Sequence, residues 1–422
     1  MVYTEKELKK GINLHLINTE KFKTNLIAIF LTTKMERETV TKNAVISALL
    51  RRGSKNMQTQ EKISIELEEM YGAAFDCGLD KTGDNQVLKF YIETINDNYL
   101  PDSKENLLNK SLNRLLEIVF NPLIENKSFK GEYVTQEKNN IKQRIEGKID
   151  NKARYALERC IEEMYKGQPF GLYRFGYIED LENIDGTNLY EQYLNLMNQC
   201  KIDIFVSGNI KEEDVEKEII NNENIVNLKE RNPIYNLANI KNEDKQENEI
   251  IENMDVSQGK LVLGLDIDIT DEDKKYDAMI YNSILGGSAN SKIFQNVREK
   301  ANLAYVASSS YYRYKNNIFI NCGIEIENYD KAVKLIKEQI ETLKNGNFTD
   351  EEIENAKKGI IATIKTIDDE QDTGITYCFG QELSKNKVSP EEYIKRIEKI
   401  KKQDVLEIAQ KVRINTIYFL RD

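Results

Sequence analysis

Residues able to do chemistry are few in this chain, and histidine is the scarcest of them. Among 422 residues there is one histidine, His15, so the chain cannot by itself build the two-histidine sites of common zinc hydrolases or a zinc finger with paired histidines. His15 alternates with Leu14 and Leu16, which predicts a short strand. We expect His15 to be a partly buried or surface residue of that strand, with a structural role.

The five cysteines are the next candidates, and their spacing argues against a shared site. They stand singly, at Cys77, Cys160, Cys200, Cys322 and Cys378. Without a Cys-x-x-Cys pair, neither a disulfide framework nor a thiolate zinc site is indicated, and we expect buried side chains that act as small apolar residues. The sequence also has no Gly-x-Ser-x-Gly elbow, so a metal-free hydrolase is disfavoured.

Composition narrows the class of protein further. Apolar residues make up 40% of the chain and charged residues 31%, which is too hydrophobic for a disordered protein and too charged for a membrane-embedded one. Acidic residues outnumber basic ones 71 to 60, so nucleic acid is not an expected partner. No apolar run approaches the roughly 18 residues of a membrane span, and the N-terminal stretch lacks the apolar centre of a secretory signal. We expect a cytoplasmic protein without a membrane span.

The elements that would position chemical groups follow the same order in each half of the chain. Alternating apolar runs predict strands, and apolar residues three or four apart predict helices. The first half offers a strand at 25–33, helices at 44–52 and 59–70 and a hairpin at 75–95, and the second offers a strand at 259–267, helices at 276–285 and 291–300 and a hairpin at 305–326. The predicted fold class is α+β, with two homologous domains, each a mainly antiparallel sheet with helices packed on one side.

A faint internal repeat supports this duplication. The stretch from Ile63 to Phe75 matches the stretch from Ile293 to Tyr305 at a constant offset. A later stretch that begins at Phe129 matches one that begins at Phe348, at a second and slightly smaller offset. Two unrelated domains would not be expected to keep register over so much chain, so we predict a duplicated sequence.

The stretch near the chain midpoint is the most charged and the least periodic. It has no sustained apolar period before Gly259, which is typical of a connecting segment. We therefore predict an N-terminal domain at 1–222, a linker region at 223–253 and a C-terminal domain at 254–422.

One long segment carries a specific family resemblance. Residues 285–309 read Leu-Gly-Gly-Ser-Ala-Asn-Ser-Lys-Ile-Phe-Gln-Asn-Val-Arg-Glu-Lys-Ala-Asn-Leu-Ala-Tyr-Val-Ala-Ser-Ser. This segment resembles the C-terminal-domain signature of the pitrilysin/insulinase family of zinc peptidases, and the stretches at 129–144, 167–171 and 204–210 are similar to the first domain of that family. The resemblance implies half of a clam-shell whose two halves enclose a peptide-binding chamber.

The resemblance also implies that the metal site of the family has been lost. Family members bind zinc through an H-x-x-E-H motif, whose glutamate activates the bound water, and through a later glutamate. These positions fall on Ala44, Ser47 and Ala48, and the last ligand falls on Arg144. A guanidinium cannot donate a lone pair and repels a divalent cation. The resemblance therefore implies no metal and no cofactor in this chain, with zinc expected in a partner chain.

A second set of family positions is retained. The resemblance maps an arginine and a tyrosine that contact the substrate carbonyl onto Arg298 and Tyr305, where a cation and a phenol can stabilise an oxyanion. A purely structural interpretation stays open, in which Arg298 pairs with Glu299 and Tyr305 fills the sheet. The adjacent loop is a predicted substrate contact at Gly286, Gly287 and Ser288, although paired glycines also commonly end a helix.

These observations lead to two functional hypotheses. In the first, the chain is the non-catalytic subunit of a two-chain zinc peptidase, inactive alone, whose H-x-x-E-H partner supplies the metal while this chain supplies Arg298, Tyr305 and half of a peptide-binding chamber. The substrate would be an unfolded peptide held by extended strand pairing. In the second, the chain is a scaffold or peptide-binding protein of the same fold without a proteolytic role.

Overall fold

A computed structural model describes residues 2–100, 106–235 and 247–422. Within them the strands are β1 Val2–Lys9, β2 Ile12–Asn18, β3 Thr24–Lys34, β4 Ala74–Thr82, β5 Asn85–Ile95, β6 Ile124–Glu125, β7 Ser128–Phe129, β8 Lys201–Gly208, β9 Asn248–Asn253, β10 Gly259–Ile267, β11 Ala304–Tyr312, β12 Asn317–Ile324 and β13 Val412–Arg421. The α-helices are α1 Val40–Leu50, α2 Gln60–Glu69, α3 Leu107–Phe120, α4 Gly131–Glu146, α5 Lys152–Met164, α6 Ile178–Leu181, α7 Gly186–Gln199, α8 Glu212–Asn221, α9 Glu223–Val226, α10 Lys274–Asn282, α11 Tyr329–Lys344, α12 Asp350–Lys365, α13 Gln371–Ser384, α14 Pro390–Lys399 and α15 Lys402–Lys411. None of these helices is long and apolar enough to span a bilayer.

Two compact units contain one large sheet each, and five strands have the same order in both sheets, while β1 is an additional edge strand of the first. The first sheet has the order β1-β2-β8-β3-β5-β4, and the second has the order β9-β13-β10-β12-β11 when read in the matching direction. Among the strands of these described residues, only the β2/β8 pair and the β13/β9 pair are parallel. The predicted α+β class with two mainly antiparallel sheets is confirmed, and the shared strand order shows the internal repeat in three dimensions.

The first unit combines the described parts of Met1–Glu146 and Leu172–Asn236 with Asp368–Gly380. Alternation along β3 sends Ile27, Ile29 and Leu31 to one face of the sheet, where they join the core formed with helices such as α1 and α3. This face corresponds to the predicted packing of helices on one side of the sheet.

The opposite face of the first sheet is covered by a segment from the far end of the chain. Phe379 lies 4.7 Å from Phe30, measured between ring centroids, in an edge-to-face contact. Gln371 accepts a hydrogen bond from the Thr24 hydroxyl at 3.0 Å and donates one to the Ser207 carbonyl at 3.1 Å. The sequence pattern predicted helices on one side only, and the structure adds this second cover.

The second unit combines Gly147–Gly171, the described part of Leu237–Ile367, and Gln381–Asp422. Here α5, which precedes the chain midpoint, packs on the second sheet, where Cys160 and Met164 share a buried cluster with Val262 and Tyr418. Gly264 of β10 allows this approach, because a Cβ at that position would lie 2.8 Å from the Met164 sulfur. Helix α5 therefore occupies on the second sheet the place that 368–380 occupies on the first.

The predicted linker at 223–253 is partly regular structure. Its first residues form α9 and its last form β9, which pairs with β13 in the second sheet. Residues 236–246 lie outside the described residues. The division into domains at 1–222 and 254–422 stays a prediction about the duplicated sequence, and the spatial units differ from it because α5 and 368–380 each belong to the sheet of the other half.

A charged network lies within the first sheet, and His15 belongs to it. His15 is fully buried, and its Nε2 lies 2.9 Å from Oδ1 of the buried Asp203. Lys201 donates to the same oxygen at 2.5 Å, and the phenol of Tyr3 lies 2.8 Å from His15 Nδ1. The expectation of a partly buried or surface histidine was wrong, because the second cover of the sheet removes this face from solvent.

Valine at position 264 is expected to disturb the packing of α5 on the second sheet. Although valine favours strands, Gly264→Val places two methyl groups against Met164 and should lower the free energy of unfolding by about 1–3 kcal/mol. Gly359→Val is the matched control, because a Cβ at Gly359 meets nothing within 4 Å. Urea unfolding midpoints measure both, and equal midpoints would contradict the close contact.

Removal of the buried carboxylate is expected to destabilise the first unit in a pH-dependent way. Burial acts to raise the pKa of Asp203, but Lys201 and His15 together hold this pKa below its usual value. The stabilisation is therefore present above the unfolded-state pKa of about 3.9 and is lost as the pH falls through the lower folded-state pKa. At neutral pH, Asp203→Asn should cost about 3–5 kcal/mol.

Urea unfolding midpoints at a series of pH values check this, with Asp255→Asn, at an exposed position, as the control. A deficit for Asp203→Asn that does not shrink towards acid pH would contradict the network.

Candidate functional site

The positions matched to the lost metal site lie together in the first unit. Ala44, Ser47 and Ala48 share one face of α1, since residues three and four apart on a helix are neighbours. Together with Arg144 of α4 they line a cavity of about 490 Å³. The edge strand β4 forms another wall through residues 77–79.

Arginine dominates the charge of this cavity, which we call the α1 pocket. Besides Arg144, Arg51 and Arg52 line it directly after the end of α1. Arg52 forms an ion pair with the buried Glu137, whose other oxygen accepts a hydrogen bond from Asn140 at 3.0 Å. In the described parts of the chain, neither Arg51 nor Arg144 has a carboxylate within ion-pair distance. The pocket therefore has two guanidiniums in excess of its own carboxylate.

Aromatic and sulfur groups complete the pocket wall. The Arg144 guanidinium lies 5.5 Å from the centroid of the Phe175 ring. The half-buried Cys77 also lines the cavity. Burial raises the pKa of the Cys77 thiol, while the guanidiniums of Arg51 and Arg144 act to lower it. Both cations are therefore close enough to act on the same sulfur atom.

The chemistry of these residues does not fit a zinc ion. Zinc in proteins is held by imidazole, thiolate or carboxylate donors. Two motif positions are alanines, Ser47 offers only a hydroxyl, and Arg144 carries a positive charge. Glu137 already uses its oxygens for Arg52 and Asn140. The described residues of the α1 pocket therefore provide no zinc ligand set.

The second predicted site lies in the other unit, around β11. Arg298 belongs to a π-helical segment, Phe294–Lys300, and its side chain is 41% exposed. It lies over the Phe294 ring at 4.5 Å and makes a 3.5 Å ion pair with the exposed Glu299. Tyr305 is 68% exposed on β11, and no described residue hydrogen-bonds to its hydroxyl. The Glu299 pair expected for a structural Arg298 is present, but Tyr305 does not fill the sheet.

The glycine loop has a packing explanation. Gly286 and Gly287 end a second π-helical segment, Ser283–Gly287. A Cβ on Gly286 would lie 2.6 Å from Oγ of Ser309, and one on Gly287 would lie 2.9 Å from a side-chain nitrogen of Asn282. Ser288 is exposed and donates a hydrogen bond to the Ser283 carbonyl at 3.2 Å. Close packing therefore explains both glycines, against β11 for Gly286 and against the end of α10 for Gly287. Their contact with substrate stays a prediction.

Comparison with known proteins identifies the family. The family described as "Peptidase M16 inactive domain" matches residues 183–360. A probable inactive metalloprotease of Bacillus subtilis (strain 168), YmfF, is 34% identical over 414 residues, which cover 97% of this chain and 96% of that protein. The chain belongs to the M16 peptidase family. This confirms the resemblance to pitrilysin and insulinase, and the chain is a pitrilysin-like protein of the type without the zinc motif.

Solved structures of similar fold support the same M16 architecture. A conserved protein from Enterococcus faecalis V583 superposes with a TM-score of 0.90 at 29% identity, over 99% of this chain and 98% of that one. The periplasmic protease PqqL of Escherichia coli gives a TM-score of 0.73 at 14% identity. That match covers 99% of this chain and 47% of PqqL, and at this identity it shows the fold alone.

Sequence reasoning found four lining positions of the α1 pocket, including the charged Arg144, and missed other residues that line it. The overlooked residues are Arg51, Arg52, Cys77 and Phe175. The two adjacent arginines that end the predicted helix at 44–52 were a usable signal. Cys77 and Phe175 gave no such signal in the sequence. The pairing of β4 in the sheet places Cys77 at the pocket, and the path of the chain after α5 places Phe175 there.

Restoring the family ligands is expected to create a zinc site in the α1 pocket. The native chain should hold no stoichiometric zinc after dialysis, whereas the combination Ala44→His, Ala48→His and Arg144→Glu should hold about one ion per chain. The reason is that the structure brings these three positions to one cavity. Elemental analysis measures this.

A matched control adds two histidines at the same spacing on α7, as Leu194→His with Asn198→His, both at exposed positions. Zinc held tightly by the native chain, or equally by the control and the restored variant, would contradict the assignment of the pocket.

Proposed function

We propose that this M16 chain is the non-catalytic subunit of a two-chain zinc peptidase. A partner chain with an intact H-x-x-E-H motif would supply the zinc and the general base. This chain would supply Arg298, Tyr305 and a peptide-binding surface. The observation that carries the proposal is the exposure of Tyr305 on an edge strand with its hydroxyl free of described partners.

The position of Tyr305 supports a binding role over a structural one. Tyrosines with a structural role in this unit are buried, as Tyr276, Tyr281 and Tyr418 are. A large aromatic side chain that is 68% exposed contributes little to its own fold. Tyrosine in such a position offers an apolar ring and a hydrogen-bond donor to a ligand.

Arg298 would add a positive charge to a site that binds a peptide carbonyl. Its ion pair with Glu299 joins two largely exposed side chains, and such pairs contribute only about 0–1 kcal/mol. The guanidinium can therefore exchange this partner for a substrate at small cost. A cation and a phenol together can stabilise the oxyanion that forms when water attacks a peptide carbonyl.

The strand edges provide a way to hold an extended peptide. Both β11 and β4 end their sheets, so one side of each backbone has no neighbouring strand among the described residues. An extended peptide can add to such an edge through backbone hydrogen bonds. The exposed residues of β11, which include Val306, Ser308 and Ser310, would then contact its side chains.

The match to PqqL is consistent with a peptidase in which this chain forms one half and a second chain forms the other. The chain corresponds in fold to about half of PqqL, which is described as a protease. A chain of this length would therefore need a second one to reach the size of that protein. The alternative, a peptide-binding scaffold without proteolytic role, requires the same open edges but assigns no rate effect to Arg298 and Tyr305.

Loss of the Tyr305 hydroxyl is expected to slow the complex with an H-x-x-E-H homologue. Tyr305→Phe should lower peptide turnover about a hundredfold to a thousandfold, the usual effect of removing one oxyanion donor. Arg298→Lys keeps the charge but loses the planar fork, so an intermediate loss is expected. Turnover of an unfolded peptide by the reconstituted complex is the measurement.

Tyr71→Phe is the matched control, since Tyr71 is likewise exposed, at 59%, and belongs to the first unit. Melting temperature and sedimentation of the mixed chains show that folding and assembly are unchanged. Wild-type turnover by both Tyr305→Phe and Arg298→Lys would show that the pair is structural. Failure of the chain to associate with H-x-x-E-H homologues, with and without peptide, would favour the scaffold alternative.

A further inference from the structure

We infer that the α1 pocket is a carboxylate-binding site, in which Arg51 and Arg144 receive a carboxylate of an extended peptide that lies along β4. The inference deepens the proposed function and rests on it only in naming a peptide as the ligand. The affinity of the pocket for a carboxylate follows from the residues of this chain alone.

Unpaired charge is the first argument. Of the three arginines in the pocket, Arg52 is neutralised by Glu137. Arg51 and Arg144 have no described carboxylate at ion-pair distance, yet both line the same cavity and both act on the Cys77 thiol. Two guanidiniums that face one partly enclosed space repel each other, and an anion between them removes that repulsion.

The shape of the cavity is the second argument. Ala44, Ala48 and Gly78 contribute walls without long side chains, which leaves a volume of about 490 Å³. A water molecule occupies about 30 Å³ in the liquid, so the cavity has room for a whole acidic residue or a chain terminus. The Phe175 ring supports the Arg144 guanidinium from one side and limits its orientations.

The neighbouring backbone identifies the ligand as a peptide. Residues 77–79 of the edge strand β4 form one wall of the pocket. A peptide strand added to β4 would therefore pass the cavity and could place a side chain or its C-terminus in it. A guanidinium matches a carboxylate through two parallel hydrogen bonds, which a neutral side chain cannot accept in the same way.

Cys77 provides a reporter inside the pocket. It is the one cysteine that is not fully buried in the part of the chain that the structure describes. The Cys77 thiolate displaces iodide from either iodoacetate or iodoacetamide, two reagents of similar size that differ in the carboxylate. Mass analysis of the Cys77 peptide gives the two rates. Comparison with N-acetylcysteine amide, a neutral reference thiol, isolates the effect of the pocket.

The iodoacetate-to-iodoacetamide rate ratio at Cys77 should be about fivefold higher than for the reference thiol, as expected for one solvated charge pair near 4 Å. Arg144→Gln and Arg51→Gln should each lower this ratio towards that of the reference. Arg154→Gln, which removes a half-exposed arginine of α5 outside the pocket, should leave it unchanged. A ratio equal to that of the reference thiol, or equal losses in all three variants, would overturn the inference.

Protection of Cys77 by peptides then identifies the source of the carboxylate. One decapeptide is prepared with a free or amidated C-terminus, each with a central Glu or Gln. Protection that depends on the free terminus assigns the pocket to a C-terminal carboxylate, and protection that depends on Glu assigns it to a side chain. Either result should be lost in Arg144→Gln and would support the inference.

The failures of the two proposals are distinguishable. A preference for iodoacetate without protection by any of the four peptides would refute the peptide as ligand while the pocket still accepts small carboxylates. No preference for iodoacetate, together with slow turnover in Tyr305→Phe, would refute the carboxylate site and leave the proposed subunit function standing.

Discussion

Burial of the second face of each sheet is the constraint on which this architecture depends. Both faces of β3 are apolar, and β10 is buried along most of its length, so each sheet needs cover on both of its faces. The first sheet is covered by 368–380 and the second by α5, and each cover comes from the other half of the sequence. Neither half can complete its sheet alone. Each sheet is therefore completed by a segment from the other half of the repeat.

This constraint explains what could and could not be predicted. Local signals were sufficient for the elements: the 259–267 strand matches β10, and the first offset of the repeat aligns the starts of β4 and β11. The exchange of covering helices was not predictable, because nothing in the local sequence of α5 or α13 indicates which of the two sheets the helix packs on. For the same reason His15 was expected to be a partly buried or surface residue, whereas it is fully buried and contacts Asp203, which also accepts a hydrogen bond from Lys201.

The α1 pocket was also predictable only in part. The family positions Ala44, Ser47, Ala48 and Arg144 were placed from sequence, and the structure brings them into one pocket. Its net charge was not foreseen, because charge in a cavity depends on which groups already have partners. Glu137 lines the pocket but pairs with Arg52, so it does not offset the charge of Arg144. In place of the histidines and the carboxylate of the family motif, the pocket therefore presents alanines and a guanidinium whose charge no described carboxylate offsets.

The repeat allows Arg298 and Tyr305 to be compared with the residues at the corresponding positions of the first half. In the register that pairs Ile63 with Ile293, Arg298 corresponds to Glu68 and Tyr305 to Phe75. Phe75 is partly buried and packs against the first core, whereas Tyr305 is largely exposed. Two copies under the same packing demand would be expected to keep similar burial at this position. The fold does not require an exposed phenol at this position, so the two copies differ here by more than their packing, and the arginines of the α1 pocket are a separate difference in the first copy.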